Sequence, residues 1–270
     1  MIISGDYSRY EHLILERDRE RRVLTITLSN PGKKNALTPQ MQGELEYIFD
    51  DAWADEEINV IILTGQGDAF CAGADMSNLS NEASQGRPGT PPTRGVKRLF
   101  YSMLDCEKPI IAKVRGPAYG LGVNLALAAD VVYVSETAKL CDSHVRAGIA
   151  PGDGGAVLWP LLIGFHRAKE YLMTGDALSG AEAAAIGLVN RCFPDDALDV
   201  AVETLANRLA QGSPLAISYA KSSVNVMLKQ LMAGAFEASL AYDLLTLKTE
   251  DHKEALQALT ERRPPRFSGG

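Results

Sequence analysis

The sequence predicts an α/β fold with buried strands in its first part and a helical C-terminal region. Three short, mostly apolar runs support the sheet, at residues 59–64, at Ile110–Val114 and at residues 131–134. Continuous apolar runs of this length indicate strands that are buried on both faces. Segments of helical periodicity separate them, and such alternation is typical of α/β folds. From Gly154 onward the pattern is helical.

Local signals predict the elements of the N-terminal part. Residues 12–17 and 22–29 alternate apolar and polar side chains around a charged turn, which predicts a β-hairpin. Thr38 followed by Pro39 indicates an N-cap and the first position of a helix. Residues 119–129 lack charge, so we predict a helix there that is buried all round.

The later part shows a long loop and several helix starts. Residues 78–95 are rich in Ser, Gly, Pro and Thr and predict a long loop. Ser179 with Glu182 forms a capping-box pattern, and Ser213 precedes a proline that can begin another helix. We divide the chain into a core at residues 1–195, which holds the active site, and a helical region at residues 196–270.

Composition excludes several classes of protein. The 270-residue chain has a formal net charge of −7, which does not favour binding to nucleic acids. No stretch is long and apolar enough to predict a membrane span, and the N-terminus lacks the apolar region of a secretory signal. The four cysteines form no C-x-x-C pair, so we predict reduced thiols in a cytoplasmic protein.

Two segments offer backbone N–H groups to an anionic ligand. Residues 70–75 contain small side chains after a buried strand, so a ligand can approach the main chain closely. Residues 115–124 lead into the predicted buried helix, whose N-terminus presents free N–H groups. A dinucleotide fingerprint is rejected, because Leu125 occupies the position of its third glycine. An ordinary strand-to-helix turn is the alternative for either segment alone.

A third segment supplies a base and a carboxylate. His144 and Asp153 lie nine positions apart, and an imidazole can act as a base near neutral pH while a carboxylate orients it. The alternative is a structural histidine and an aspartate that caps the following helix. Cys141 does not complete a familiar ligand set with this pair, so no metal site is predicted. We predict that the other histidines, which are His12, His166 and His252, are solvated.

Together and in this order, the segments resemble the crotonase (enoyl-CoA hydratase/isomerase) superfamily over nearly the whole chain. The matching pieces are residues 30–37, 70–75, 108–116, 120–130, 148–155, 174–179 and 186–190. The resemblance implies a crotonase-like spiral of ββα units with a C-terminal helical trimerisation region, and a homotrimer or a dimer of trimers. It implies an acyl-CoA substrate and no cofactor besides the coenzyme A that the substrate carries.

The resemblance also assigns residues to the site. It places the backbone donors of an oxyanion hole at Ala74 and Leu121. It implies that the basic tail near Arg266 reaches the coenzyme A of a neighbouring subunit. The coenzyme A site would be lined by Lys34, Ala36, Ala72, Asp75, Met76 and Gly120.

The departures from the family pattern shape the functional hypotheses. A typical hydratase carries glutamates at the positions of Asn124 and His144, and a glycine at the position of Leu121. Asn124 cannot exchange a proton, although it can position water or a substrate oxygen. The His144 and Asp153 pair resembles instead the β-diketone hydrolases of the superfamily, of the 6-oxocamphor hydrolase type.

Three hypotheses follow. The first is an acyl-CoA enzyme of the hydratase/isomerase type, a hydratase-like lyase, that holds an enolate in the oxyanion hole. In it His144 is the general base, Asp153 orients it and Asn124 positions water, and we expect weak hydration of straight-chain substrates. The second is a C–C bond hydrolase that cleaves a β-diketone or a cyclic β-keto acyl-CoA in a retro-Claisen sense. The third is an acyl-CoA-binding protein without catalysis.

Overall fold

The computed structural model describes residues 6–75 and 93–270. A six-stranded sheet has the strand order β1-β2-β3-β4-β6-β9, and a three-stranded sheet has the order β5-β7-β8. The strands are β1 (Leu13–Asp18), β2 (Val23–Leu28), β3 (Val60–Gly65), β4 (Ile110–Val114), β5 (Pro117–Tyr119), β6 (Val131–Ser135), β7 (Lys139–Cys141), β8 (Leu178–Ser179) and β9 (Arg191–Phe193).

Helices cover the sheet and form the C-terminal part. They are α1 (Pro39–Ala54), α2 (Thr93–Asp105), α3 (Leu121–Leu127), α4 (Gly155–Ile163), α5 (Phe165–Thr174), α6 (Gly180–Ala185), α7 (Leu198–Ala210), α8 (Pro214–Thr246) and α9 (Glu250–Glu261). A 3₁₀ turn at His144–Ala147 follows β7. In the described residues no helix is long and apolar enough to cross a membrane.

The main sheet confirms the predicted hairpin and the buried strands. β1 and β2 pair antiparallel, and β2, β3, β4, β6 and β9 run parallel. In β3 the side chains of Ile61 and Leu63 enter the main core, whereas those of Val60 and Ile62 pack in a second cluster with α7. Both faces of β3 are therefore buried, as its uncharged sequence predicts.

The predicted helix caps are present. The Thr38 hydroxyl accepts a hydrogen bond from the backbone N–H of Met41 at 3.2 Å, and Pro39 occupies the first turn of α1. Ser179 and Glu182 form a complete capping box at α6. These contacts satisfy N–H groups that a helix start otherwise leaves unpaired.

The structure corrects several predictions. The stretch after Gly154 contains the short strands β8 and β9, which are too brief to show a period. The buried helix predicted at residues 119–129 is confined to α3, since Tyr119 belongs to β5 and Gly120 is the N-cap. The predicted loop ends earlier, because α2 begins at Thr93. Residues 78–92 of this loop lie outside the described residues.

His252 is 5% exposed, and its Nδ1 lies 2.7 Å from the Ala147 oxygen, so the predicted solvation of His252 is wrong.

The C-terminal helices share the main core. Met232, Phe236 and Leu240 of α8 are buried in the same cluster as the strands. After Phe193, the last residue of β9, the regular elements of the described chain are the helices α7, α8 and α9. The exact division at residue 195 stays a prediction.

Candidate active site

Backbone hydrogen bonds join the predicted ligand-binding segments side by side. Ala72 N–H donates to the Lys34 oxygen at 2.9 Å, and Leu37 N–H donates to the Gly73 oxygen at 2.8 Å. On the other side, Tyr119 N–H donates to the Cys71 oxygen at 2.9 Å. The loop at residues 72–75 therefore lies between residues 34–37 and β5, which leads directly into α3.

Glycines allow the two predicted oxyanion donors to lie close together. Gly73 has φ +92°, and a Cβ atom on it would lie 2.8 Å from the Tyr119 oxygen and 3.7 Å from the Leu121 nitrogen. Gly120 has φ +52° and is the N-cap of α3. Within the described residues, the N–H groups of Ala74 and Leu121 donate no hydrogen bond. The N–H of Leu121 also lies at the positive end of α3.

His144 lies between two carboxylates. Its Nδ1 is 2.5 Å from Asp142 Oδ1, and its Nε2 is 3.0 Å from Asp153 Oδ2. The ring is near the predicted oxyanion donors, because a Cβ on Gly120 would lie 3.7 Å from His144 Cε1. The predicted contact of His144 with Asp153 is present. Asp153 makes no side-chain cap on α4, whose N-cap is Gly154, so the capping part of the alternative is wrong.

Asn124 links both carboxylates. Its Nδ2 donates to Asp153 Oδ1 at 2.6 Å and to Asp142 Oδ2 at 2.9 Å, while its Oδ1 accepts from Trp159 Nε1 at 3.1 Å. The Trp159 contact fixes the amide orientation, since an amide turned the other way would set two donors against each other. A Cβ on Gly155 would overlap Asp142 Oδ2, so this network needs a glycine there.

The two carboxylates favour a charged His144. Burial acts to lower the pKa of His144, but the charges of Asp153 and Asp142 and their hydrogen bonds raise it well above its ordinary value. Burial acts to raise the pKa of Asp142, but the charge of His144 together with hydrogen bonds from His144 and Asn124 outweighs it, so that pKa is lowered. At neutral pH the pair of His144 and Asp142 is therefore an imidazolium with a carboxylate.

The predicted coenzyme A residues mostly line this region. Lys34 has φ +49° beside the 72–75 loop, and Ala36 is buried. Asp75 is buried and accepts a hydrogen bond from Lys33 Nζ at 2.7 Å. Gly120 N–H donates to the Cys141 oxygen at 2.9 Å. Met76 lies outside the described residues.

Sequence reasoning missed three residues of this neighbourhood, which are Asp142, Trp159 and Asp243. Asp142 could have been found, because a carboxylate two positions before His144 can reach the same ring. Trp159 lies on α4 at a position that its sequence marks only as apolar. Asp243 belongs to α8, and no short-range pattern connects it with Asp153.

Comparison with known proteins finds relatives that match most of the chain. The family model for enoyl-CoA hydratase/isomerase matches residues 18–270. The chain is 34% identical over 257 residues to the 2,3-dehydroadipyl-CoA hydratase of Escherichia coli K12, covering 93% of this chain and 97% of that protein. It is 33% identical over 260 residues to the crotonyl-CoA hydratase of Syntrophomonas wolfei, covering 96% and 98%.

A solved structure shows the same fold. The enoyl-CoA hydratase/isomerase of Pseudoalteromonas atlantica T6c superposes with a TM-score of 0.86 at 29% identity, covering 96% of this chain and all of that one. The fold is thus the α/β crotonase fold with a C-terminal helical region. The chain belongs to the enoyl-CoA hydratase/isomerase family, whose members are enzymes that act on acyl-CoA thioesters.

Proposed function

We propose that the protein adds water to a 2-enoyl-CoA, with His144 and Asp153 as its proton-exchanging pair. One observation carries the proposal: the His144 ring contacts Asp153 at 3.0 Å and lies beside Gly120, which precedes the oxyanion donor Leu121. An acid–base pair next to an oxyanion hole suits a reaction that passes through an enolate.

The N–H groups of Ala74 and Leu121 would hold the thioester oxygen. Water addition at Cβ turns this oxygen negative. Two N–H donors that already point at it stabilise the charge, and the protein does not have to rearrange during the reaction. In the described residues both N–H groups lack a protein acceptor, which supports this role.

Asp153 and His144 would share the proton transfers. Asp153 takes a proton from water as the water oxygen bonds to Cβ, and the imidazolium of His144 gives its proton to Cα of the enolate. The proton on Asp153 then passes to His144 across the 3.0 Å contact, which restores the starting state. In the reverse direction His144 first gives its proton to Asp153 and then acts as the base.

Asn124 would hold the geometry of the pair without exchanging a proton. Its amide donates to both carboxylates and is itself fixed by Trp159. This supports a role in orienting Asp153 toward water. The predicted direct contact of Asn124 with water or substrate stays a prediction.

The contact of His144 with Asp153 also supports a second candidate, the C–C bond hydrolase. There the pair activates water to attack a ketone, and the departing carbanion is held as an enolate in the same oxyanion hole. The positive charge favoured on His144 supports the hydratase, because the hydrolase needs an imidazole that is neutral at the start of the reaction.

An assay with a panel of substrates separates the candidates. We expect hydration of branched or functionalised 2-enoyl-CoA esters, followed by the loss of absorbance of the conjugated thioester, with crotonyl-CoA slower. Matched β-diketones, with and without coenzyme A, serve as the control set. Ring-opened acids from the control set without any hydration would refute the hydratase proposal. Binding without turnover of either set would leave the non-catalytic hypothesis.

We further propose a homotrimer or a dimer of trimers. Large apolar side chains are exposed along α8, namely Leu215, Tyr219, Val224, Val226, Met227, Leu231, Tyr242 and Leu245. Burial of such side chains between subunits removes them from water. Light scattering should give the mass of three or six chains, and a monomer would contradict the proposal.

Three further predictions complete the proposed function. No metal or cofactor is needed besides the coenzyme A of the substrate. The location is cytoplasmic, which fits the four cysteines that form no disulfide. The basic tail near Arg266 contacts the coenzyme A of a neighbouring subunit.

A further inference from the structure

One face of α8 packs on the segment that carries Asp153. Ser239, Asp243 and Thr246 are spaced by four and three residues, so they lie on one side of the helix. Ser239 Oγ donates to the Gly152 oxygen at 3.3 Å, and Thr246 Oγ1 accepts from the Ala150 N–H at 2.9 Å. Asp243 therefore lies between two residues of α8 that are hydrogen-bonded to the segment that carries Asp153.

Asp243 contacts this segment closely. A Cβ on Gly152 would overlap Asp243 Cβ and would lie 3.0 Å from Asp243 Cγ. In the described part of the chain the charged groups that face its carboxyl group are Asp153, His144 and Asp142. Burial, together with the charges of the two aspartates, raises the pKa of Asp243 to about 7, against the opposing charge of His144.

We propose that Asp243 is a positioning residue of the active site, whose carboxyl group sets the charge beside the His144 and Asp153 pair. This inference rests on the proposed function and adds a pH dependence to it. Ionised Asp243 is a third negative charge next to the pair. It holds the proton on His144 more tightly and opposes the charge that develops on the enolate.

The ionisation of Asp243 determines the direction in which turnover changes with pH. Asp243 is neutral below its pKa and ionised above it, so turnover is highest at low pH and falls as the pH rises through about 7. A single group with this pKa goes from about nine-tenths to about one-tenth protonated between pH 6 and pH 8. We therefore expect kcat/KM of the native protein to fall about tenfold over this range.

The first experiment compares pH profiles of variants. Asp243→Asn keeps the size of the side chain but cannot ionise, so its kcat/KM should change less than about twofold between pH 6 and pH 8. Asp243→Glu should restore the fall. Ser239→Ala is the matched control, because it removes a polar contact from the same helix face without removing a titrating group. An Asp243→Asn profile that follows the native one would overturn the inference.

The second experiment does not depend on turnover. In protein with ¹⁵N-labelled histidine, the ring resonances of His144, assigned by their loss in His144→Gln, should shift with a midpoint near pH 7 in the native protein. The shift should vanish in Asp243→Asn. Its loss in a protein that turns over no acyl-CoA would support the charge coupling and refute the proposed function. An unchanged shift in an active enzyme would refute the coupling alone.

Discussion

Replacing His144 with alanine is expected to lower kcat on an acyl-CoA substrate by about 10³- to 10⁴-fold, the range for loss of a principal acid–base group. In the proposed mechanism the ring supplies the proton for Cα, and in the structure it contacts both Asp142 and Asp153. Without it, two buried carboxylates face each other with no cation between them. The repulsion between them is then uncompensated.

His166→Ala is the control for this experiment, because His166 is exposed on α5 and the substitution is chemically identical. Turnover is followed by the absorbance of the conjugated thioester, and affinity for a non-reacting acyl-CoA by calorimetry. The affinity should change little, since the proposed role of the imidazole is to transfer a proton and not to hold the ligand. A His144→Ala protein that retains a tenth of native kcat would show that another group moves the proton.

Leu121→Pro is expected to lower kcat by about 10²- to 10³-fold, the effect of removing one oxyanion donor. Proline lacks the N–H group but is well tolerated at the first position of a helix, which Leu121 occupies. The usual restriction on the residue before proline is relaxed here, because that residue is Gly120. The KM should change less than kcat, because the oxyanion charge is greatest in the transition state.

Leu121→Ala is the matched control, because it removes the buried side chain and keeps the N–H group. It should retain kcat within about tenfold, although the lost packing lowers stability by roughly 2–5 kcal/mol. Thermal unfolding of both variants separates the packing effect from the catalytic one. Equal losses of kcat in the two variants would assign the effect to the leucine side chain and contradict the role of the amide.

The sequence predicts the fold well where its signals are local and strong. β4 is predicted with the bounds that the structure has, because four apolar residues and Lys113 form a short run between Pro109 and Arg115. The caps at Thr38 and Ser179 are chemical signatures of helix starts. β5 and β7 contain three residues each, and β8 two, so they have no measurable period and exist only through tertiary pairing.

Part of the site can also be predicted from the sequence, and part cannot. His144 and Asp153 are predictable because they lie in one segment and their chemistry is complementary. The sequence favours a neutral His144 that begins as a base, since the ordinary pKa of histidine is near neutrality. That expectation changes once Asp142 is seen at the second ring nitrogen. The charge of a buried group depends on all the charged groups near it in space. Asp243 of α8 is one of these groups, but it is far from His144 along the chain.

The packing of α8 on the Asp153 segment bears on the order in which the enzyme assembles. Its two hydrogen bonds to that segment join residues 87 and 96 positions apart, whereas Asp142, His144 and Asp153 come from a single short stretch. Contacts between distant residues close the longest loops and tend to form late. A ribosome-bound chain can thus form its sheet and place His144 before Asp243 docks. The proposed pH dependence would then arise only in this last step.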